Sequence, residues 1–302
     1  MRYQYFPGCS LKSSGRSYEE SLLAVLRALE VPVEEIDDWN CCGATAYMAV
    51  DEVQAFALAA RNLALAENAP GGANGKPAQI LAPCAACYLV LLKTQRYLAE
   101  HADLKQKVTA GLQAIHLSYE GRVQVRHPLD VLVNDVGTDR IARRVTQPLK
   151  GMKVACYYGC QVVRPFAAFD TVHNPTTMDR LVTALGATPV DWPLKTRCCG
   201  GTLNGTIPEV GLRLNRILLN EAKRRKADAI VTVCPLCQFN LECYQGEMRR
   251  KFHDDLGLPV MYLTQMIGQA FGLSDTELGL QRMFVPPARV PAAQEGGIAA
   301  NA

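Results

Sequence analysis

The sequence predicts an α/β protein made of two similar units, related by internal duplication with an approximate two-fold between them. Three observations carry that prediction. Ten of the twelve cysteines fall into two copies of one pattern. A lone cysteine follows a glycine (Cys9 after Gly8, Cys160 after Gly159), then comes a double cysteine ending in glycine (Cys41-Cys42-Gly43, Cys198-Cys199-Gly200), then a C-x-x-C (Cys84 and Cys87, Cys234 and Cys237). The offsets are nearly constant: 151 from Cys9 to Cys160, 157 from Cys41 to Cys198 and 150 from Cys84 to Cys234. Short strand-like apolar runs also alternate with helix-period segments in the same order in both halves. The only two tryptophans, Trp39 and Trp192, each follow an aspartate just before the double cysteine.

Taken in order, residues 2–6 read as a strand ended by Pro7-Gly8. A helix is expected from Ser17, which with Glu20 has the spacing of a capping box. Leu22, Leu23, Val25, Leu26 and Leu29 give that helix its apolar face. A strand at 32–36 leads to the first double cysteine. The next helix, about 51–68, should turn Val53, Phe56, Ala60 and Leu63 inward. Residues 70–77 form a Gly-rich loop, a strand at 79–82 delivers Cys84 and Cys87 to another helix, and a helix near 100–115 and a strand at 123–125 complete the unit. The second unit runs through a strand at 153–155, a helix opened by Asn174-Pro175 and closed by Gly186, and a strand at 188–190. Met178, Leu181, Val182 and Leu185 should be buried. A helix from Pro208 to about Lys226 should bury Val210, Leu214, Ile217 and Leu218, and strands at 229–233 and 259–263 follow. The domains are therefore 1–137 and 151–284, joined by a linker at 137–150. Residues 285–302, poor in large apolar groups, are expected to be a disordered tail. The first unit is seven residues longer between double cysteine and C-x-x-C, a difference the loop at 70–77 absorbs at little cost.

Composition narrows the function. A net charge of +3 on 302 residues gives no footing for a nucleic-acid partner. The runs Lys223–Lys226 and Arg249–Lys251 sit late in predicted helices, where cations favour the dipole. No apolar run approaches a bilayer span, and the first residues read as a strand rather than a signal peptide, so a cytoplasmic location with reduced thiols is expected. Twelve cysteines in such a compartment point to metal binding.

The cysteine count points further, to two iron–sulfur sites. Three loops per half supply one, two and two soft sulfur ligands, a donor set suited to such clusters. Four cysteines would suit zinc or an ordinary cubane, whereas five per half, repeated, indicate an unusual ligand set. The five histidines (His101, His116, His127, His173, His253) lack ligand spacing, which argues against zinc. Thioredoxin-like use of a C-x-x-C would leave the double cysteines unexplained. A phosphate loop at 70–77 fails on Pro77, which stands where Ser or Thr is needed. Cys156 and Cys243 have no counterpart in the other half and are left outside the site.

The order C, CCG, CxxC, twice, resembles the B-type subunit of heterodisulfide reductases, the double CCG-domain family, from residue 1 to about 280. The second copy, running from Tyr157-Tyr158-Gly159-Cys160 to the segment ending in Cys198-Cys199-Gly200, looks closest to the family pattern. The resemblance implies two noncubane [4Fe–4S] clusters, each bound through five cysteines: Cys9, Cys41, Cys42, Cys84 and Cys87, then Cys160, Cys198, Cys199, Cys234 and Cys237. Both sets are complete. It further implies an oxidoreductase component that exchanges electrons with a disulfide or thiol pair. Its partners would be the C-type iron–sulfur subunit of the same complex and the A-type flavin subunit, since this chain has no ferredoxin-type run and no flavin fingerprint. Within the family the expectation is a sulfur-metabolism complex working toward sulfur oxidation with a lipoate-binding protein. The alternatives are reduction of the coenzyme M–coenzyme B heterodisulfide in methanogenesis, and an electron-transfer subunit of a quinone-linked dehydrogenase.

Overall fold

In a computed structural model, which describes residues 2–44, 46–69, 77–254 and 256–289, the chain forms two parallel four-stranded sheets with helices packed around them. The first sheet contains β1 (Tyr3–Tyr5), β2 (Val33–Glu35), β3 (Ala78–Leu81) and β4 (Val123–Arg126) in the order β2-β1-β3-β4. The second contains β5 (Lys153–Tyr157), β6 (Thr188–Pro189), β7 (Ala229–Thr232) and β8 (Val260–Tyr262) in the order β6-β5-β7-β8. Registers correspond: Tyr5 pairs with Leu81 in one sheet, and Tyr157 with Thr232 in the other. Every pairing is parallel, so each connection needs a crossover, and helices supply most of them. Helices then cover the sheet faces, which is why the central strand β7 is buried throughout.

The main helices are α1 (Arg16–Ala28), α2 (Glu52–Glu67), α3 (Ala85–Glu100), α4 (Thr138–Arg144), α5 (Thr177–Ala184), α6 (Pro208–Arg224), α7 (Pro235–Cys243) and α8 (Leu263–Ala270). The halves embrace reciprocally. Helix α1 of the first packs against α8 of the second, and α5 of the second against α4 and Pro128–Asp130 of the first. This exchange is the two-fold relation expected of the duplication. It also merges the interiors, because Val25, Leu29 and Ala85 belong to the second sheet's core and Tyr262 to the first's.

Several local expectations are corrected. Ser17 does not cap α1; the helix begins at Arg16 after Gly15, and Glu20 pairs instead with Arg16 and Arg282. Asn174-Pro175 does not open α5 either. Asp170, from the preceding loop, accepts from the amides of Thr176 and Thr177 and so caps the helix from a distance. The predicted inner residues of α5 are all buried. On α2 and α6, however, Val53, Val210 and Ile217 face outward, and Asn215 and Gly211 take inner positions on α6. The stretch 137–150 is not a bare linker, since it contains α4 with Ile141 buried. Of the expected tail, residues 290–302 lie outside the described residues, and 285–289 rest on the second half, with the Val285 amide donating to Glu242 and Arg289 paired with Asp275. Most of the Gly-rich loop, 70–76, also lies outside the described residues.

Candidate functional site

In each half the five cysteines sit beyond the carboxyl ends of three strands. Cys9 follows β1, Cys41 and Cys42 follow β2, and Cys84 and Cys87 follow β3; β5, β6 and β7 deliver the second set in the same way. Strand order reverses between β1 and β3, and between β5 and β7, where open α/β sheets leave a crevice. Tertiary structure thus brings together residues up to 78 positions apart in the first half and 77 in the second (Cys9 to Cys87, Cys160 to Cys237).

Within each set the thiols lie close enough to perturb one another. In the second half the thiols perturb one another along the series Cys160, Cys198, Cys199, Cys237 and Cys234. In the first half Cys42 Sγ lies 3.2 Å from Cys87 Sγ, while Cys41 acts on Cys42, Cys84 on Cys87, and the charge of Cys9 on Cys41. Hydrogen bonds from Cys41 and Cys87 pull the Cys42 thiol down to about 4, and those from Cys160 and Cys199 hold Cys198 low. The contacts run sulfur to sulfur. Among the described residues no three His, Cys, Asp or Glu side chains are arranged to hold a single metal ion. Cys9, Cys41 and Cys198 are exposed and Cys160 half-exposed; the other six are buried.

Glycines make the convergence sterically feasible. A Cβ on Gly8 would come within 2.8 Å of Cys87 Sγ, and one on Gly159 within 3.0 Å of Cys237 Sγ. Both glycines also have positive φ, as do Gly43 and Gly200. The amide of Gly200 donates to Cys198 Sγ at 3.3 Å, and that of Gly43 serves Cys41 likewise. Each C-x-x-C opens a helix with its first cysteine as N-cap, where backbone amides and the dipole favour thiolate. Elsewhere the Lys195 carbonyl accepts from both Tyr158 and Gly159 amides, tying the Cys160 turn to the Cys198 loop.

The two sets meet at their C-x-x-C ends. The Ala85 backbone of the first half reaches the second set, where, after Cys237, it helps hold the Cys234 thiol pKa down. His127 is fully buried; its Nε2 lies 3.1 Å from the carbonyl of Pro83, the residue before Cys84, its Nδ1 accepts from the Leu129 amide, and the backbone of Val233, the residue before Cys234, lies near enough to act on the ring. Burial pushes its pKa down to about 4, so the ring is neutral near neutrality. This histidine lacks ligand spacing because it braces backbone instead. A cavity of about 490 Å³ opens nearby between the halves, with Lys12 and Arg16 on one wall and Gln238, Glu242 and Cys243 on the other. Cys243 therefore lines this cavity, and Cys156 is a buried thiol in β5 beneath Trp192, whose indole N–H donates to the Cys156 carbonyl.

The comparisons with known proteins agree with this architecture. A family model described as cysteine-rich domain (CCG) matches twice, over residues 3–92 and 154–242. The 8-methylmenaquinol:fumarate reductase membrane anchor subunit of Wolinella succinogenes is 32% identical over 287 residues, covering 94% of this chain and 96% of that protein. The B-type subunit of the ferredoxin/F(420)H(2)-dependent CoB-CoM heterodisulfide reductase of Methanosarcina acetivorans is 30% identical, covering 92% and 91%. A protein of Archaeoglobus profundus, named as similar to the B-type subunit of heterodisulfide reductase, is 29% identical, covering 90% and 91%. Among solved structures, a hypothetical protein from Helicobacter pylori superposes with a TM-score of 0.74 at 14% identity, over 95% of this chain. This chain spans about half of that protein, 52%, and the likeness concerns the fold alone. Two cysteine-rich repeats on a common α/β frame, and relatives matched nearly end to end, establish that the chain belongs to the double CCG-domain family of heterodisulfide reductase B-type subunits.

Proposed function

We propose that the chain is the iron–sulfur catalytic component of a heterodisulfide reductase-like complex. In this reading each five-cysteine set holds a noncubane [4Fe–4S] cluster, and the pair exchanges electrons with a thiol or disulfide, in the direction of sulfur oxidation. The observation that carries the reading is the delivery of five thiols by three strand-end loops in each half, each set with its rim open to solvent: Cys9 and Cys41 in one, Cys160 and Cys198 in the other. The donor set fits the group. Ten soft thiols converge in two clusters of side chains, with glycine amides already donating to sulfur as a cluster's sulfurs require. Such clusters supply single electrons and an iron that accepts a thiolate. The chain's own part is to hold the sulfurs, keep six of the ten dry and leave a rim that a substrate sulfur can reach. Arg164, whose charge acts on Cys198, adds positive potential at the second rim.

Partners follow from the same reading: the C-type iron–sulfur subunit, the A-type flavin subunit and a lipoate-binding protein, in the cytoplasm. Exposed apolar residues flank both sites at matching distances from the double cysteines. Val50 and Val53 lie 8 and 11 residues after Cys42, and Ile207 and Val210 lie 8 and 11 after Cys199. Such patches beside redox groups suit contacts with other subunits. No helix among the described residues is long and apolar enough to cross a membrane.

The test is spectroscopic. Anaerobically reconstituted protein should bind about eight irons per chain, as two four-iron clusters require. On addition of a small thiol or a dihydrolipoyl carrier, the oxidised protein should develop a new paramagnetic signal that broadens with iron-57. The similarity to the Wolinella succinogenes protein favours a second reading, an electron-transfer component of a quinone-linked reductase. That reading wins if thiols leave the spectra unchanged while electrons still pass to or from quinone.

A further inference from the structure

Asn240 sits on α7, three residues after Cys237, and is buried. Its side-chain nitrogen reaches the second double-cysteine turn. It donates to the Gly201 carbonyl at 2.8 Å, and it lies 3.5 Å from the Cys199 carbonyl and 3.5 Å from Cys199 Sγ. An amide nitrogen carries two N–H groups. Gly201 takes one, and the oxygen and sulfur of Cys199 share the other. The first half places valine at the matching step. Val90 lies three residues after Cys87 on α3, in the same apolar cluster as Cys42, the counterpart of Cys199. Valine has no donor to offer a sulfur. The buried amide of the first half, Asn62, bonds the backbone of Asn40, ahead of the cysteine pair. Backbone shape does not separate the turns, since Gly43 and Gly200 both have positive φ.

A double-cysteine turn therefore forms with an apolar residue at this place, and the amide adds something besides shape. We infer that Asn240 is a positioning residue of the second site, which donates to Cys199 Sγ and so sets that site's reduction potential apart from the first's. The inference rests on reading the two cysteine sets as cluster sites. A donor to a ligand sulfur stabilises the reduced, more negative state and raises its potential. Asn240 acts on one sulfur of one set, so two sites with the same five ligands differ in potential.

The experiment compares wild type, Asn240→Leu and Asn62→Leu after anaerobic reconstitution, by iron content and by redox titration of the paramagnetic signals. Cys41→Ser and Cys198→Ser, each lacking one complete set, assign the signals to their halves. Asn240→Leu should keep its iron, with the second site's midpoint moved to lower potential and the first's in place. Asn62→Leu, which removes a buried amide that bonds only backbone, should leave both midpoints in place. An iron-replete Asn240→Leu protein whose second midpoint is unmoved, or whose two midpoints fall together, overturns the inference. So does an equal fall of the first midpoint in Asn62→Leu, because the shift would then follow lost packing rather than a lost donor. Should Asn240→Leu not retain its iron, wild type labelled with nitrogen-15 in its asparagine side chains serves instead. Pulsed paramagnetic resonance should find a nitrogen-15 coupling on the second site's signal, and no coupling there overturns the inference. A wild-type protein that binds no iron would instead defeat the cluster reading itself.

Discussion

The two Cys-Cys-Gly turns carry the same three residues and are braced by different chemistry. The first is held by a satisfied polar network. Asn62, buried on α2, accepts from the Asn40 amide at 2.9 Å and donates to the Asn40 carbonyl at 3.0 Å, while Arg61 reaches the Asp38 carbonyl and the Asn40 side chain. Its tryptophan, Trp39, is only partly buried and donates to Glu35. The second turn is held by aromatic packing. Trp192 is buried against Tyr157, whose hydroxyl bonds the Arg197 carbonyl at 2.6 Å. Around it Asn240 donates to the Gly201 carbonyl, but Asn204 and Asn215 bury both amide atoms without a partner among the described residues. Sulfur and glycine impose the shape of the turn, and the surrounding residues are free to support it by polar or apolar means.

That contrast can be broken or sharpened by experiment. The largest effect is expected at the sulfurs, where the halves should behave alike. Cys41→Ser and Cys198→Ser should each remove about half the iron bound by two four-iron clusters, measured as iron per chain. Loss of all iron from either would mean one shared site. Here the comparison tests independence rather than difference.

The tryptophans should separate the halves. Trp192→Ala removes a fully packed side chain and should cost about 3–5 kcal/mol in denaturant unfolding. Trp39→Ala, on a half-exposed residue, should cost roughly half as much. Equal losses would mean that the first turn also depends on aromatic packing.

The second half carries a pH effect of its own. Burial raises the pKa of Glu242 to about 7, with Gln238 and the Val285 amide opposing. The folded state therefore holds this proton more tightly than the unfolded chain. The associated stability is full below about pH 4 and is lost as pH rises toward about 7, by up to roughly 3 kcal/mol. Glu242→Gln should remove that loss and leave the opposite, rising contribution of buried His127 across the window; an unchanged profile would remove Glu242 as the source of the loss.

The smallest differences concern the asparagines. Asn62→Ala should cost about 1–3 kcal/mol because it strands the Asn40 backbone. Asn215→Leu should change stability by less than about 1 kcal/mol or raise it, since no protein partner is lost. A large loss on Asn215→Leu would show that its amide is satisfied in the working protein. Unfolding of the two variants side by side decides the point.

Much of this molecule was legible in the order of its residues. Strand–helix alternation and the repeated cysteine spacing indicated two similar α/β units, and the cysteines themselves repeat as two sets of five. Periodicity placed Met178, Leu181, Val182 and Leu185 inside because α5 packs on one side only. It failed for Val53, Val210 and Ile217 because α2 and α6 turn small or polar residues toward the cysteine turns: Gly200 packs against the Gly211 backbone, and Gly43 against Ala55. The capping box at Ser17 failed because Glu20 is drawn to Arg282, 262 residues away, a competitor that local sequence does not reveal.

What the sequence by itself determined is therefore local and repeated: which residue types recur, at what spacing, and which short segments prefer strand or helix. Sulfur chemistry and glycine conformation depend on residue identity, so they can be read without coordinates. Only the tertiary structure decided what lies between the repeats. The exchange of α1 and α8, the placement of His127 between the backbones before Cys84 and Cys234, and the Tyr18–Tyr262 stack all join residues with no common period. Burial at an interface depends on which surfaces meet when two units dock, and in this chain that docking brings the two candidate sites together at one junction.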